Sequence, residues 1–237
     1  MDLSQAEKYF QKYYDKLIWE TLFARAHLKL WGQLESFKSS YLHELNQAPH
    51  FFNFTMKAHR DDALLTLSRI LDKSKGDPLT IWKFLNFIGQ NKEIFSTQTF
   101  CQRMKDNPYY EDQVKSHIPI TPKVIQEDRQ KLENLKETMD SLKGWRDNVL
   151  AHNDLQFYLK GKIISEEYHV QRQQLQEVID AIVEILNRYS AAYSSSTFLD
   201  KFSGEDDVQY VIDFIRLHIQ ERKKQLEALK KQASDKR

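Results

Sequence analysis

The sequence W-R-D-N-V-L-A-H-N-D, Trp145–Asp154, lies near the end of the longest helical pattern in the chain. Upstream of it, apolar residues recur in alternating steps of three and four, at Leu132, Leu135, Met139, Leu142, Trp145 and Val149. This spacing is typical of the seam of a helix that packs on other helices. The next seam position is His152, so a histidine stands where the pattern requires a core residue.

The composition around this stretch predicts an all-α protein. The chain has 237 residues with only 6 Gly and 5 Pro, so there is little provision for many tight turns. Long segments rich in Glu, Gln, Lys and Leu dominate, and these residues favour helix. The length suffices for one sizeable core or, as the less favoured alternative, two small ones, and we predict a single helical domain over residues 1–237.

The same counts exclude several functional classes. A formal net charge of +1 excludes a uniformly basic coat for nucleic acid, so any RNA contact must use a local patch. The single Cys101 excludes an intrachain disulfide and a cysteine-based zinc site. No histidine pair has H-E-x-x-H spacing and no Gly-rich phosphate loop is present, so we expect no metal and no cofactor. No apolar run could span a bilayer and no N-terminal signal region is evident, which predicts a cytoplasmic protein without a membrane partner.

Capping and breaker residues divide the chain into helices. A capping box at Ser4–Glu7 predicts a first helix to about Leu45, which Gly32 could kink or split. A breaker at Gln47–His50 precedes a second helix from about Thr55 to Lys73. Asp77 and Pro78 are expected to cap a short helix over Leu79–Asn91.

The sequence pattern is less regular where the second half of the chain begins. Residues 92–120 are predicted to be an irregular excursion with one short helix at Phe95–Met104. It could be a lid, a partner-binding loop or an insert with no role. Thr121 and Pro122 should start the long helix that ends near His152. A further helix begins near Ser165 and carries an apolar stripe at Leu175, Val178, Ile179, Ile182, Ile185 and Leu186. A last helix covers Asp206 to about Gln232.

The polar residues late on the long helix are the candidate site. Arg146 and His152 lie six positions apart, hence roughly 120° apart around an ideal helix and roughly 9 Å apart along it, while Asn148 stacks directly under His152. The pattern alone leaves two structural interpretations open. His152 could be a core histidine bonded to a neighbour, and Arg146 could be a clamp on a carboxylate.

The segment Arg146–His152 resembles the signature of the HEPN superfamily, in which an arginine is followed by a polar residue and, a few positions on, by a histidine. The ending Ala151-His152 with Asn153-Asp154 resembles the abortive-infection (AbiU-type) branch. Leu67–Asp72 together with Leu79–Ile81 resembles the other recurrent segment of that branch. The resemblance spans roughly residues 54–189 and implies a HEPN-like helical core there. Residues 1–48 would then be an N-terminal helical extension, and residues 205–232 a C-terminal helix.

The resemblance implies a metal-independent endoribonuclease. Arg146 would stabilise the phosphoryl charge and His152 would act as general base or acid, with Asp147 or Asn148 orienting one of them. Lys143, Lys160 and Lys162 lie nearby in sequence and are candidates to hold the RNA backbone. A homodimer would bring two arginines and two histidines into one cleft. We therefore predict a toxin or antiviral effector that takes RNA as its substrate and is held in check by an antitoxin or other regulatory partner.

A second interpretation stays open on the residues alone. The near-neutral charge and the lack of an obvious basic stripe fit a non-catalytic helical interaction module that partners another protein. Nucleotide binding in the same cleft, without cleavage, fits the residues equally well.

Overall fold

The computed structural model describes residues 1–73, 79–147, 170–198, 204 and 206–234. Within these residues every regular element is helical, which confirms the all-α prediction. The ten α-helices are α1 (Leu3–Ser40), α2 (Leu42–Leu45), α3 (Pro49–Ile70), α4 (Ile81–Gln90), α5 (Thr97–Met104), α6 (Tyr110–Ser116), α7 (Pro122–Glu133), α8 (Lys136–Trp145), α9 (Arg172–Ser194) and α10 (Asp207–Ser234), with a 3-10 helix at Lys92–Phe95.

The first helix differs from the prediction at both ends. Its cap is Asp2, whose carboxylate accepts the backbone N–H of Gln5 at 2.8 Å, so the box predicted at Ser4–Glu7 lies inside the helix. Gly32 does not split α1, which continues to Ser40. The helix α3 begins at Pro49, earlier than predicted, because proline suits the first helical position where no N–H donor is needed.

The cap of α4 is Thr80, whose hydroxyl accepts the backbone N–H of Lys83 at 3.3 Å. Thr80 is fully buried, and its hydroxyl satisfies one of the N–H donors that the start of a helix leaves without a partner in the helix. The predicted caps Asp77 and Pro78 lie outside the described residues. Because α4 starts at Ile81, the half-buried Lys83 and the exposed Asn86 lie in its first two turns.

Residues 92–120 are more regular than predicted: the short helix expected at Phe95–Met104 is confirmed as α5, but the 3-10 helix and α6 were not predicted. This segment holds the 3-10 helix, α5 and α6, and it buries Ile94, Phe95 and Phe100 completely. Arg103 fixes it to the rest of the first compact unit by pairing with Glu7. The same guanidinium donates to the backbone carbonyls of Tyr193 at 2.6 Å and Ile94 at 2.9 Å.

The long helix predicted from Thr121 is two helices. Its start is confirmed, because the Thr121 hydroxyl accepts the N–H of Val124 at 3.4 Å and Pro122 takes the first turn. A turn at Asn134–Leu135 then separates α7 from α8. Asparagine is a poor helix-interior residue because its amide offers alternative hydrogen bonds, here to the side chain of Gln130 at 2.9 Å. Among the seam residues that the structure describes, Leu132 and Leu142 are fully buried, while Leu135, Met139 and Trp145 are half-buried.

Two compact units divide the chain. The first comprises Met1–Leu28 with Asp61–Lys201, and the second Lys29–Arg60 with Phe202–Arg237. The core of the first unit contains an aromatic cluster in which Phe10 meets Phe95 edge-on at 5.2 Å and Phe84 meets Tyr189 edge-on at 5.5 Å. The predicted stripe of α9 is confirmed, since all six of its residues are fully buried. The subdivision into extension, HEPN-like core and C-terminal helix stays a prediction.

A charged group lies inside the first unit. Asp128 on α7 is fully buried, where it accepts the hydroxyl of Tyr189 at 2.8 Å and pairs with Arg188. Burial raises the pKa of Asp128, and the bonds from Tyr189 and Arg188 oppose that effect. The three side chains join α7 to α9 on the face of α7 that looks into the core.

The second unit has a smaller core of its own. It consists of Leu34, Leu45, Phe52, Met56 and Ile212, with Phe37, Tyr41, Ala48, Val208 and Ile215 packed against it. Glu44 pairs with Arg216 at 3.0 Å, and that guanidinium also lies over the ring of Tyr41. From Glu221 to Ser234 every residue of α10 is exposed.

Candidate functional site

Arg146 lies directly after the last residue of α8 and reaches across to the end of α3. Its Nη1 is 2.8 Å from Oδ2 of Asp72, which follows α3, and its Nε donates to Oδ1 of Asp147 at 2.7 Å. The side chains of Arg146 and Asp72 are 20% and 19% exposed, so solvent screens this pair only partly. The hydrogen bond that Arg146 donates to Asp147 and the negative charge of Asp72 raise the pKa of Arg146, which stays fully protonated.

The two described ion pairs of Arg146 do not use all three nitrogen atoms of its guanidinium. They use Nε and Nη1, and Nη2 makes no ion pair with any residue the structure describes. That nitrogen carries two N–H donors in the plane of the group. A partly exposed guanidinium held by two aspartates can donate from this nitrogen to an additional anionic oxygen and keep both ion pairs.

Arg146 lines a cavity of about 330 Å³ between the end of α3 and the last turns of α8. Its described lining residues are Ser68, Leu71, Asp72, Lys73, Met139, Asp140, Lys143 and Arg146. Lys143 is exposed and stands one helical turn before Arg146, so both cations face the same space. The described lining of the cavity therefore contains both cations and carboxylates.

A second cavity of about 390 Å³ adjoins the first, because Asp72 and Lys73 line both. Its other described lining residues are Thr80, Trp82, Lys83, Asn86, Gln126, Arg129, Gln130 and Glu133. Lys73 is held at the junction between Glu133, at 2.6 Å, and the ring of Trp82, at 4.0 Å from its centroid. The indole N–H of Trp82 donates to the carbonyl of Leu71 at 3.0 Å, which fixes the ring against the end of α3.

A family model for AbiU2, a HEPN family, matches residues 7–214. The chain belongs to the AbiU2 family. The match runs from α1 into α10, further in both directions than the stretch over which the resemblance was recognised from motifs. Neither the comparison with curated proteins nor the comparison with solved structures finds a significant match.

In this AbiU2 chain the described part of the predicted site is Lys143, Arg146 and Asp147. The structure brings these three together beside the cavity, and Asp147 contacts the arginine, one of the two roles expected for it. The predicted residues Asn148, His152, Lys160 and Lys162 lie outside the described residues. Their roles stay predictions.

Asp72 is the site residue that motif reasoning left without a role. Asp72 is the last residue of the segment Leu67–Asp72, one of the two segments that carry the AbiU-type resemblance. In the structure its carboxylate pairs with Arg146, the first residue of the motif Arg146–His152. The sequence offered one signal for this pair, which was a carboxylate just past the end of a helix together with the arginine of the motif. Seventy-four positions separate the two residues, so local pattern could not pair them.

The described ranges contain no grouping of three or more His, Cys, Asp or Glu side chains with the geometry of a metal site. Over the same portion of the AbiU2 chain, no helix combines the length and apolar character needed to cross a bilayer.

Proposed function

We propose that this AbiU2 protein is a metal-independent endoribonuclease that acts as an abortive-infection effector or toxin, with Arg146 and His152 as its catalytic pair. The observation that carries the proposal is Arg146 at the wall of a cavity, held by two aspartates, within a chain that matches the HEPN family AbiU2. A guanidinium held in this way suits an oxyanion that develops during a reaction.

The chemistry follows from the two side chains. The His152 imidazole, titrating near neutral pH, takes the proton from a ribose 2′-hydroxyl. The oxygen then attacks the adjacent phosphorus, and Arg146 donates to the phosphoryl oxygens as negative charge builds on them. The 5′-oxygen leaves with a proton from an acid group, giving a 2′,3′-cyclic phosphate and a 5′-hydroxyl. DNA lacks the attacking hydroxyl, so it would not be cleaved.

A homodimer is part of the proposal. One arginine and one histidine make a sparse catalytic site, and a two-fold axis would duplicate both in a shared cleft. An RNA-cleaving effector would also harm its own cell, so a regulatory partner or antitoxin is expected to restrain it.

The test is cleavage of single-stranded RNA in chelator by the wild-type chain and by Arg146→Ala, Arg146→Lys, His152→Ala and His152→Gln. We expect loss of about a hundredfold or more for each alanine variant, because each removes a group that acts mainly in the transition state. Arg25→Ala is the matched control, since Arg25 is also a buried arginine paired with an aspartate, Asp180 at 2.6 Å. Cleavage that survives both alanine substitutions would reject the assigned site.

A non-catalytic interaction or nucleotide-binding module is the second candidate. It is favoured by the two carboxylates on Arg146, because that arrangement also describes a structural clamp. In this case wild-type RNA incubations would show no cyclic phosphate product. Titration with nucleotides, followed by thermal shift, would then separate a binding cleft from a purely structural one.

A further inference from the structure

We propose that the cavity between α4 and α7 is a subsite for single-stranded RNA, which holds the nucleotide next to the phosphodiester at Arg146. This inference rests on the proposed ribonuclease function, because it names where the substrate of that site continues. The first support is continuity. Asp72 and Lys73 line both this cavity and the one that contains Arg146, so a single ligand can occupy both spaces.

The second support is the polar face of α7. Its residues in the cavity are Gln126, Arg129, Gln130 and Glu133, spaced by three, four and seven positions, so they share one side of the helix. The other side of α7 buries Ile125, Asp128 and Leu132 in the core. Lys83 and Asn86 extend the polar lining from the facing turn of α4. The facing sides of α4 and α7 therefore contribute three amides, two cations and one carboxylate, Glu133, to the described lining.

The third support is charge. Among the described residues, five basic side chains and three carboxylates line the two cavities, and a fourth carboxylate, Asp147, pairs with Arg146. The basic side chains therefore still outnumber these carboxylates. Glu133 pairs with Lys73, and Asp72 pairs with Arg146. Arg129 instead donates to the neutral amide of Asn86 and forms no ion pair with a described carboxylate, so its charge is not cancelled. A partly exposed guanidinium of this kind suits a phosphate oxygen.

Size and hydrogen-bonding capacity select the ligand. At about 390 Å³ the cavity lies within the roughly 300–1,000 Å³ of small-molecule sites, which suits one nucleotide and excludes a base-paired duplex. The amides of Asn86, Gln126 and Gln130 offer both donors and acceptors, as the edges of unpaired bases require. Sequence-specific proteins bind RNA mostly through such unpaired bases.

The experiment measures binding of a fluorescein-labelled single-stranded RNA by anisotropy, with the full-length chain. The RNA carries 2′-O-methyl groups throughout, so it cannot be cleaved by attack of its own hydroxyl. We expect Arg129→Ala and Lys83→Ala each to raise Kd about 5- to 10-fold and to flatten the salt dependence by about 0.7 in slope, the effect of losing one phosphate contact on a single strand. Arg129→Gln keeps a donor for Asn86 without the charge and should weaken binding as Arg129→Ala does.

Lys123→Ala is the matched control. Lys123 is on α7 as well, but its side chain is 86% exposed and lies outside the cavity lining, so its loss should leave Kd within about twofold of wild type. Thermal melting of each variant checks that the fold is kept. In cleavage assays with unmodified RNA, the Arg129 and Lys83 variants should raise KM and keep kcat.

The outcomes separate this proposal from the ribonuclease itself. No RNA binding by the wild-type chain, or wild-type binding by both Arg129→Ala and Lys83→Ala, overturns the subsite even if RNA is cleaved. Weakened binding by these variants with no cleavage by the wild type keeps the subsite and rejects the nuclease. Weakened binding together with loss of cleavage only in the Arg146 and His152 variants supports both.

Discussion

At the scale of single residues, the site depends on how charges are paired. Asp72 and Asp147 fix the Arg146 guanidinium at a cavity wall, and all three side chains are at least partly withdrawn from water. Removing one member of such a pair leaves the other charge without its partner, which costs more than the pair itself contributes. Stability and activity are therefore expected to respond differently to the same substitutions at this site.

A double-mutant cycle on Asp72 and Arg146 tests that expectation. Asp72→Ala should lower the free energy of unfolding by about 2 kcal/mol, because it leaves a largely buried guanidinium with one carboxylate fewer. The double variant should lose less than the sum of the single ones, with a coupling energy of about 1 kcal/mol. Urea denaturation gives both values. Strictly additive losses would show that the two side chains do not interact in solution.

His117 makes stability depend on pH. Its ring stacks on Phe100 with centroids 4.1 Å apart, and its Nε2 lies 3.2 Å from the carbonyl of Ala192. Burial lowers the pKa of His117, the Ala192 carbonyl opposes that shift and the positive charge of Arg103 adds to it. The neutral ring is thus the folded form, and below the unfolded pKa of about 6.5 the unfolded chain binds more protons.

We therefore expect the free energy of unfolding to be constant above about pH 7 and to fall as the pH drops through 6.5. His117→Gln should reduce that acid slope, measured by urea denaturation at pH 7.5 and 5.5. His27 contributes in the same direction, since burial also lowers its pKa, so the slope should decrease without vanishing. His50→Gln, at an exposed position, is the control. An unchanged slope in His117→Gln would contradict the prediction.

At the scale of elements, helix ends decide which side chains reach the site. The cap at Thr80 sets where α4 begins, and so where Lys83 and Asn86 point. The turn at Asn134–Leu135 separates α8 from α7, and α8 then ends at Trp145, so that Arg146 follows it directly. If α7 and α8 were one unbroken helix, the polar face of α7 and Arg146 would lie along a single straight axis.

Replacing the buried cap should therefore weaken α4 and the cavity together. Thr80→Ala is expected to lower the free energy of unfolding by about 1–2 kcal/mol, because a buried helix-end N–H loses its acceptor. Thr80→Ser keeps the hydroxyl and should lose less. Thr121→Ala removes an exposed cap, where water can replace the hydroxyl, so its cost should be smaller. Equal losses at both caps, measured by denaturation, would show that burial adds nothing.

At the scale of the whole molecule, the chain forms two compact units with separate cores. The core of the first unit surrounds α9, and the polar cavities belong to that unit. In the second unit Ile212 is the only residue of α10 buried in the core. The anchoring of α10 therefore depends largely on one side chain and the half-buried residues beside it.

Ile212→Ala should locally destabilise the second unit. A fully buried isoleucine cut to alanine costs about 2–5 kcal/mol, which is enough to raise hydrogen exchange through the first turns of α10. Amides of α9 should keep their protection. Leu217→Ala, at a position of the same helix that is 56% exposed, is the control. Unchanged exchange in Ile212→Ala would show that the core of the second unit does not hold α10.

The sequence by itself determined the features that depend on neighbouring residues. Few Gly and Pro, the apolar period of α9 and the Thr121-Pro122 start of α7 set the helices, because helix formation and capping are local. The Arg146–His152 motif indicated the HEPN family for the same reason, since its residues are close together in the sequence.

Only the tertiary structure determined which residues from distant parts of the chain contact each other. It paired Asp72 with Arg146 and joined the polar faces of α4 and α7 in one cavity. It also made the segment before Thr121 helical, through buried anchors such as Phe95 and Phe100. Such contacts depend on how helices pack against each other. The apolar period and the capping residues of one helix do not determine which distant helix it packs against.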